Sequence, residues 1–160
     1  MLSLSSNIVG SAFEGYVSAC FQRSDTFSLT KNGWRWAESG EHARVLQRLS
    51  PYHIRTLHTN HWFAYYRPEG YELEVYLFRA DPEAKRIILE EYNSLFTEGV
   101  IWKKPEDLCF FKNGRLFSGS VSHEYICYVY EQGNDRDEQI KHHGIWEQVP
   151  DELDERIQIS

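Results

Sequence analysis

Apolar residues recur near the start of the chain at Val9, Phe13, Val17, Cys20 and Phe21. Spacings of four, four, three and one predict a helix over 7–22 with one buried stripe. Gly10 and Gly15 work against that helix, because glycine gives up the most backbone freedom there. The pattern then shortens. Residues 27–31 and 34–37 flank Asn32-Gly33, a pair suited to a type I′ hairpin turn, and in that register Phe27, Leu29, Trp34 and Trp36 share a face. A second helix is expected over 41–49, and Ser50-Pro51 starts a short third one. Aromatic-rich strands follow over 61–67 and 71–79, joined at Pro68-Glu69-Gly70. In the second, Tyr71, Leu73, Val75 and Leu77 alternate with Glu72 and Glu74, as in a half-buried strand. Asp81-Pro82 reads as an N-cap with proline in the first turn, opening a helix to residue 96 that turns Ile88, Tyr92, Leu95 and Phe96 inward.

A second Asn-Gly pair, Asn113-Gly114, joins strands over 108–112 and 115–118. Leu108, Phe110 and Phe117 fall on one face and Cys109, Phe111 and Leu116 on the other, so this pair is expected to be covered on both sides. Residues 121–131 read as one strand, and the Tyr-Ile-Cys-Tyr-Val-Tyr run places it inside the sheet. A polar loop follows over 132–139. The isolated glycines are assigned to turns. Hairpins without βαβ alternation predict a single α+β domain, with a largely antiparallel sheet of about six to seven strands and three to four helices packed on it.

Composition changes this picture little. A chain of 160 residues supports one core, and its 41% hydrophobic and 26% charged content is that of a soluble globular protein. Cys20, Cys109 and Cys127 are odd in number and far apart, which points to reduced, buried thiols. Serines interrupt the apolar residues of the N-terminal stretch, and no apolar run is long enough to span a bilayer. A cytoplasmic location without membrane attachment is therefore expected.

Charge is distributed unevenly. Residues 131–160 hold nine acidic and three basic residues, a net of six negative charges out of seven for the chain. The domain is accordingly divided into a body over 1–132 and an acidic segment over 133–160 docked on it. Removing that segment is expected to leave the fold intact. Asp135, Asp137, Glu138, Asp151, Glu152, Asp154 and Glu155 are the candidate groups for steering a basic partner, with Trp102 or Trp146 as an aromatic anchor.

Other chemistry is sparsely marked. His53, His58 and His61 have a spacing that fits no established zinc pattern. His123-Glu124, after Ser120-Val121-Ser122, is a candidate general base beside a carboxylate, although neighbours on a strand point to opposite faces. Glycine-rich phosphate loops are absent from the sequence. The basic residues Arg44, Arg48, Arg55, Lys103 and Lys104 are few against a pI near 5.5, so nucleic acid is not an expected partner. Neither a metal nor a cofactor is expected. The pairs Glu72/Glu74 and Glu90/Glu91 read as solvated faces.

These observations favour a protein-binding inhibitor of immunity type, which neutralises a basic enzyme such as a nuclease toxin. A small hydrolase or metal-assisted enzyme using His58, His61, His123 and Glu124 is the first alternative. A regulatory homo-oligomeric module using the aromatic sheet is the second.

Overall fold

Eight strands form one antiparallel sheet in the computed structural model, which describes residues 1–31, 40–66, 68–97, 103–151 and 157–159. In chain order the elements are β1 (Leu2–Leu4), α1 (Ser11–Arg23), β2 (Thr26–Thr30), α2 (Gly40–Leu49), β3 (His53–Thr59), β4 (His61–Trp62), β5 (Tyr65–Tyr66), β6 (Leu73–Arg79), α3 (Pro82–Glu91), β7 (Glu106–Lys112), β8 (Arg115–Val121), β9 (Ile126–Val129), α4 (Asp135–Lys141) and β10 (Trp146–Gln148). The sheet order is β10-β1-β9-β8-β7-β2-β6-β3, with β4 and β5 as a separate small hairpin. The fold is α+β as expected, with more strands than the hydrophobic pattern showed. β1 and β10 are three residues each, too short for a period to register, and β3 is an edge strand with little burial contrast along it.

Two apolar layers sandwich the sheet. On one face, Phe13, Tyr16, Val17, Cys20 and Phe21 of α1 pack with Val45, Leu49 and Ile88 onto Phe27, Phe78, Phe110 and Phe117. On the other, Trp62 and Phe63 of the small hairpin region cover Val75, Leu77, Cys109, Phe111 and Leu116, and Ile157 and Ile159 pack alongside. The Asn113-Gly114 hairpin forms as expected, with φ of 52° and 76° at its two turn residues and its two faces divided between the two layers. One buried polar contact crosses the helical layer, where the Tyr16 hydroxyl meets Ser118 Oγ at 2.6 Å. Burial pushes all three thiols up, those of Cys109 and Cys127 to about 12.

Several boundaries move. α1 starts at Ser11 because Gly10, at φ 59°, turns the chain into it, and Val9 is left exposed rather than inward. α3 is capped by Asp81, whose side chain accepts the Glu83 N–H at 2.9 Å, but it ends at Glu91. Tyr92, Leu95 and Phe96 are nevertheless buried, beyond the helix. β2 has β6 on one side and β7 on the other, so both its edges are occupied. The hairpin expected at Asn32-Gly33, with Trp34 and Trp36, lies outside the described residues. Gly119, assigned to a turn, sits inside β8, and Gly15 lies within α1 as the expected helix had it. A β-carbon on Gly119 of β8 would fall 2.7 Å from the Phe63 ring, and one on Gly15 of α1 would fall 2.2 Å from the His143 ring. Each glycine is the space into which an aromatic ring packs.

The acidic segment belongs to the fold. Asn134 caps α4, and Asp137 closes a reciprocal capping box with it. Asp137 is buried, pairs with Arg23 of α1 at 3.3 Å, and accepts N–H groups from Gln132, Gly133 and Asn134. Ile140 is fully buried, and β10 pairs with β1. Loss of residues 133–160 would leave Arg23 buried without its anion and the Ile140 site empty, which reverses the expectation that the fold outlasts it.

Candidate functional site

β7 opens with two adjacent carboxylates, Glu106 and Asp107, before an otherwise apolar run. Consecutive strand residues normally face opposite ways. Here Asp107 is the extra residue of a bulge, since Ser28 pairs with Cys109 and Thr30 with Glu106. Its φ of 60° lies in the left-handed region that few residues other than glycine enter. The two side chains therefore converge. A Glu106 oxygen, an Asp107 oxygen and a His123 ring nitrogen all lie within 4.8 Å of one another.

Ser122 fixes this geometry. Its backbone N–H donates to Asp107 Oδ1 at 2.8 Å, and its hydroxyl oxygen accepts the Asp107 N–H at 3.1 Å. The Thr30 hydroxyl lies 2.9 Å from Asp107 Oδ2, and the Tyr65 hydroxyl also bonds this carboxylate. Glu106 is also buried, but its carboxylate accepts no hydrogen bond among the described residues, and its nearest ionic partner is His123 Nδ1 at 3.9 Å. Burial, reinforced by the neighbouring Asp107, pushes the Glu106 carboxyl up to about 8. Burial raises Asp107 as well, against the hydrogen bonds from Ser122 and Thr30.

His123 does not lie on a strand. Residues Ser122–Glu124 form a 3-10 turn and Tyr125 is left-handed at φ 56°, so the single strand expected over 121–131 is a β8–β9 hairpin. The turn removes the objection that neighbours point apart, since His123 Nε2 is 3.6 Å from Glu124 Oε1. The Tyr65 hydroxyl lies 3.2 Å from Nε2 and 3.3 Å from Nδ1. His123 is about a third exposed and faces Glu106 on one side and Glu124 on the other.

The remaining histidines do not join this cluster. His58 is exposed on β3 opposite Glu74, and His61 is exposed on β4 with its backbone tied to Thr59. Among the described residues, neither belongs to a group of potential metal ligands. Glu106, Asp107 and Tyr65 escaped the sequence reading. The visible signal was an acidic pair heading a strand that is apolar on both faces.

No known protein family, curated protein or solved structure matches this chain.

The acidic candidates are divided by the fold. Asp135 and Glu138 are exposed on α4, and Glu138 lies 3.2 Å from Lys141. Asp151 is exposed and pairs with the Met1 amino group, whereas Asp137 is internal. Trp146 is half-buried against Tyr16, with its indole N–H donating to the His143 carbonyl, and Ile145 beside it is two-thirds exposed. Glu152, Asp154, Glu155 and Trp102 lie outside the described residues. An open groove of about 840 Å³ runs between α1, α3 and α4, lined by Gly15, Gln22, Lys85, Glu138 and His142 among others. Burial, then the adjacent His142, lowers the His143 pKa at its wall.

The basic grouping of α2 is spent internally. Arg44 holds Glu91 with contacts at 2.7 and 3.1 Å, and Arg48 reaches both Glu90 and Glu91. Lys104 approaches Glu91 at 3.7 Å. The Glu91 side chain is buried by this network, not solvated as its helix position suggested.

Proposed function

We propose that this chain is a protein-binding inhibitor of immunity type, taking a basic partner enzyme such as a nuclease toxin on the surface formed by α4 and β10. The observation that carries the reading is the rigidity of that acidic surface. Asp135, Glu138 and Glu147 stand exposed on elements held by the Arg23–Asp137 pair and by the β1–β10 ladder, and Asp151 follows β10 beside the Met1 amino group. A pre-ordered anionic surface loses less freedom on association than a loose tail does, and it speeds encounter with a cationic protein. Ile145, exposed among these carboxylates, supplies the apolar contact that charge alone does not.

The test is affinity capture by the intact chain and by a D135N/E138Q/E147Q/D151N variant, at low and high salt. A stoichiometric basic protein, held by the intact chain, lost from the variant and inhibited when bound, supports the reading. Equal capture by both forms, or only self-association, overturns it. His123 with Glu124 favours a second reading, general-base chemistry, because the imidazole is oriented by a hydroxyl and faces two carboxylates. Substrate turnover abolished by H123Q supports that alternative.

A further inference from the structure

We propose that Glu106, Asp107 and His123 form a binding site for one divalent transition-metal ion, zinc foremost. The inference is independent of the inhibitor reading and rests on four features.

The first is convergence. Two carboxylate oxygens and one imidazole nitrogen meet within 4.8 Å, and a left-handed aspartate in a bulge is what brings them together. Such backbone is strained and persists where the surroundings over-determine it. Zinc bound at roughly 2.0–2.2 Å from each donor sets its ligands roughly 3.3 Å apart. The 3.9 Å between Glu106 and His123 therefore closes by small side-chain rotations.

The second is the missing charge. Glu106 is more than nine-tenths buried, its carboxylate accepts no hydrogen bond among the described residues, and it stands beside a second buried carboxylate. Neither Lys nor Arg pairs with either carboxylate among the described residues. Two adjacent buried carboxylates whose one cationic neighbour is a histidine are costly to ionise together, and a cation between the two acids removes that cost.

The third is support around the ligands. Asp107 is oriented by Ser122, Thr30 and Tyr65, and with His123 Nδ1 turned to the cluster, Nε2 faces Glu124 at 3.6 Å. A carboxylate behind a ligating histidine is the usual means of fixing its ring and raising its basicity. The fourth is access. The partly exposed His123 leaves an approach from solvent to two carboxylates that are otherwise enclosed. One nitrogen and two oxygens suit zinc, with manganese weaker by the general affinity order, whereas magnesium prefers oxygen donors and retained waters.

The test uses the full chain, stripped with chelator and dialysed, titrated calorimetrically with zinc, manganese and magnesium chlorides. One equivalent of zinc is expected to bind and raise the melting temperature, manganese to bind more weakly, and magnesium not at all. E106Q and H123Q should each weaken zinc by about 100-fold, and E124Q, at the supporting position, by about 10-fold. H58A/H61A and H142A should leave zinc affinity unchanged, which separates the site from surface histidines. Cobalt substitution of the wild-type chain gives an independent readout, a visible absorption band at one equivalent. Absence of stoichiometric zinc binding, zinc affinity unchanged in E106Q and H123Q, or binding lost in the surface-histidine variants overturns the proposal.

Discussion

Among the described residues, aspartate is buried in two places and treated in opposite ways. Asp137 has a guanidinium beside it and the N–H groups of Gln132, Gly133 and Asn134 around it, so its charge is matched and each oxygen is used. Asp107 is also well hydrogen-bonded, yet its neighbour is another buried carboxylate, and no lysine or arginine pairs with either among the described residues. One arrangement ties α4 to α1 and matches the carboxylate with an opposite charge, although Nε and Nη2 of Arg23 are left without a hydrogen-bond partner. The other is expensive as it stands, and the difference teaches how a structural carboxylate is told from a functional candidate: by what remains unmatched after every partner has been counted.

The comparison is broken most severely by ending the chain at Gln132, which removes α4, β10 and the partner of Arg23. Loss of native near-ultraviolet circular dichroism is expected, against retention if the segment were an appendage. D137A keeps the segment but strands Arg23 and three N–H groups. It should cost about 3–5 kcal/mol in urea unfolding, with D137N falling between it and the parent.

E106Q acts in the other direction. The folded state holds the Glu106 proton more tightly than the unfolded chain does, from an ordinary value of 4.5 up to about 8. Its contribution in metal-free protein is therefore full below pH 4.5 and lost as the pH rises through 8. E106Q should flatten that decline and raise stability near pH 8 by about 1–2 kcal/mol, read from chelator-treated samples melted across the range. A parent and variant with parallel pH profiles would dissolve the contrast between the two sites. The smallest effect is expected from the surface. D135N/E138Q/E147Q/D151N should leave the unfolding midpoint where it is and alter only association, because exposed carboxylates contribute little to folding.

Much of the sheet was legible because its strands are patterned on both sides. Leu108 to Leu116 sorted correctly onto two faces, and Asn113-Gly114 announced its own turn. The polar loop expected over 132–139 is instead the start of α4, because Asn134 and Asp137 form a capping box that the surrounding polar residues concealed. The site was legible only in its last residue pair. His123-Glu124 stood out as chemistry, while Glu106-Asp107 looked like a strand margin. Nothing local signals that a bulge and a left-handed backbone will fold both carboxylates toward a histidine sixteen residues further on, because that convergence is made by Thr30, Ser122 and Tyr65 from three other places in the chain.

The position of β1 has a consequence for how the molecule is made. It lies between β9 and β10, so Leu2 pairs with Val129 on one side and Gln148 on the other. β1 leaves the ribosome more than a hundred residues ahead of both strands that it pairs with. At roughly 5–20 residues per second, that delay is on the order of ten seconds, during which Leu2 and Leu4 are exposed to any other strand nearby. Contacts so distant in sequence also slow folding from the denatured state. A chaperone, or a tethered copy of β9, should therefore improve the yield of refolding more than any change to the core.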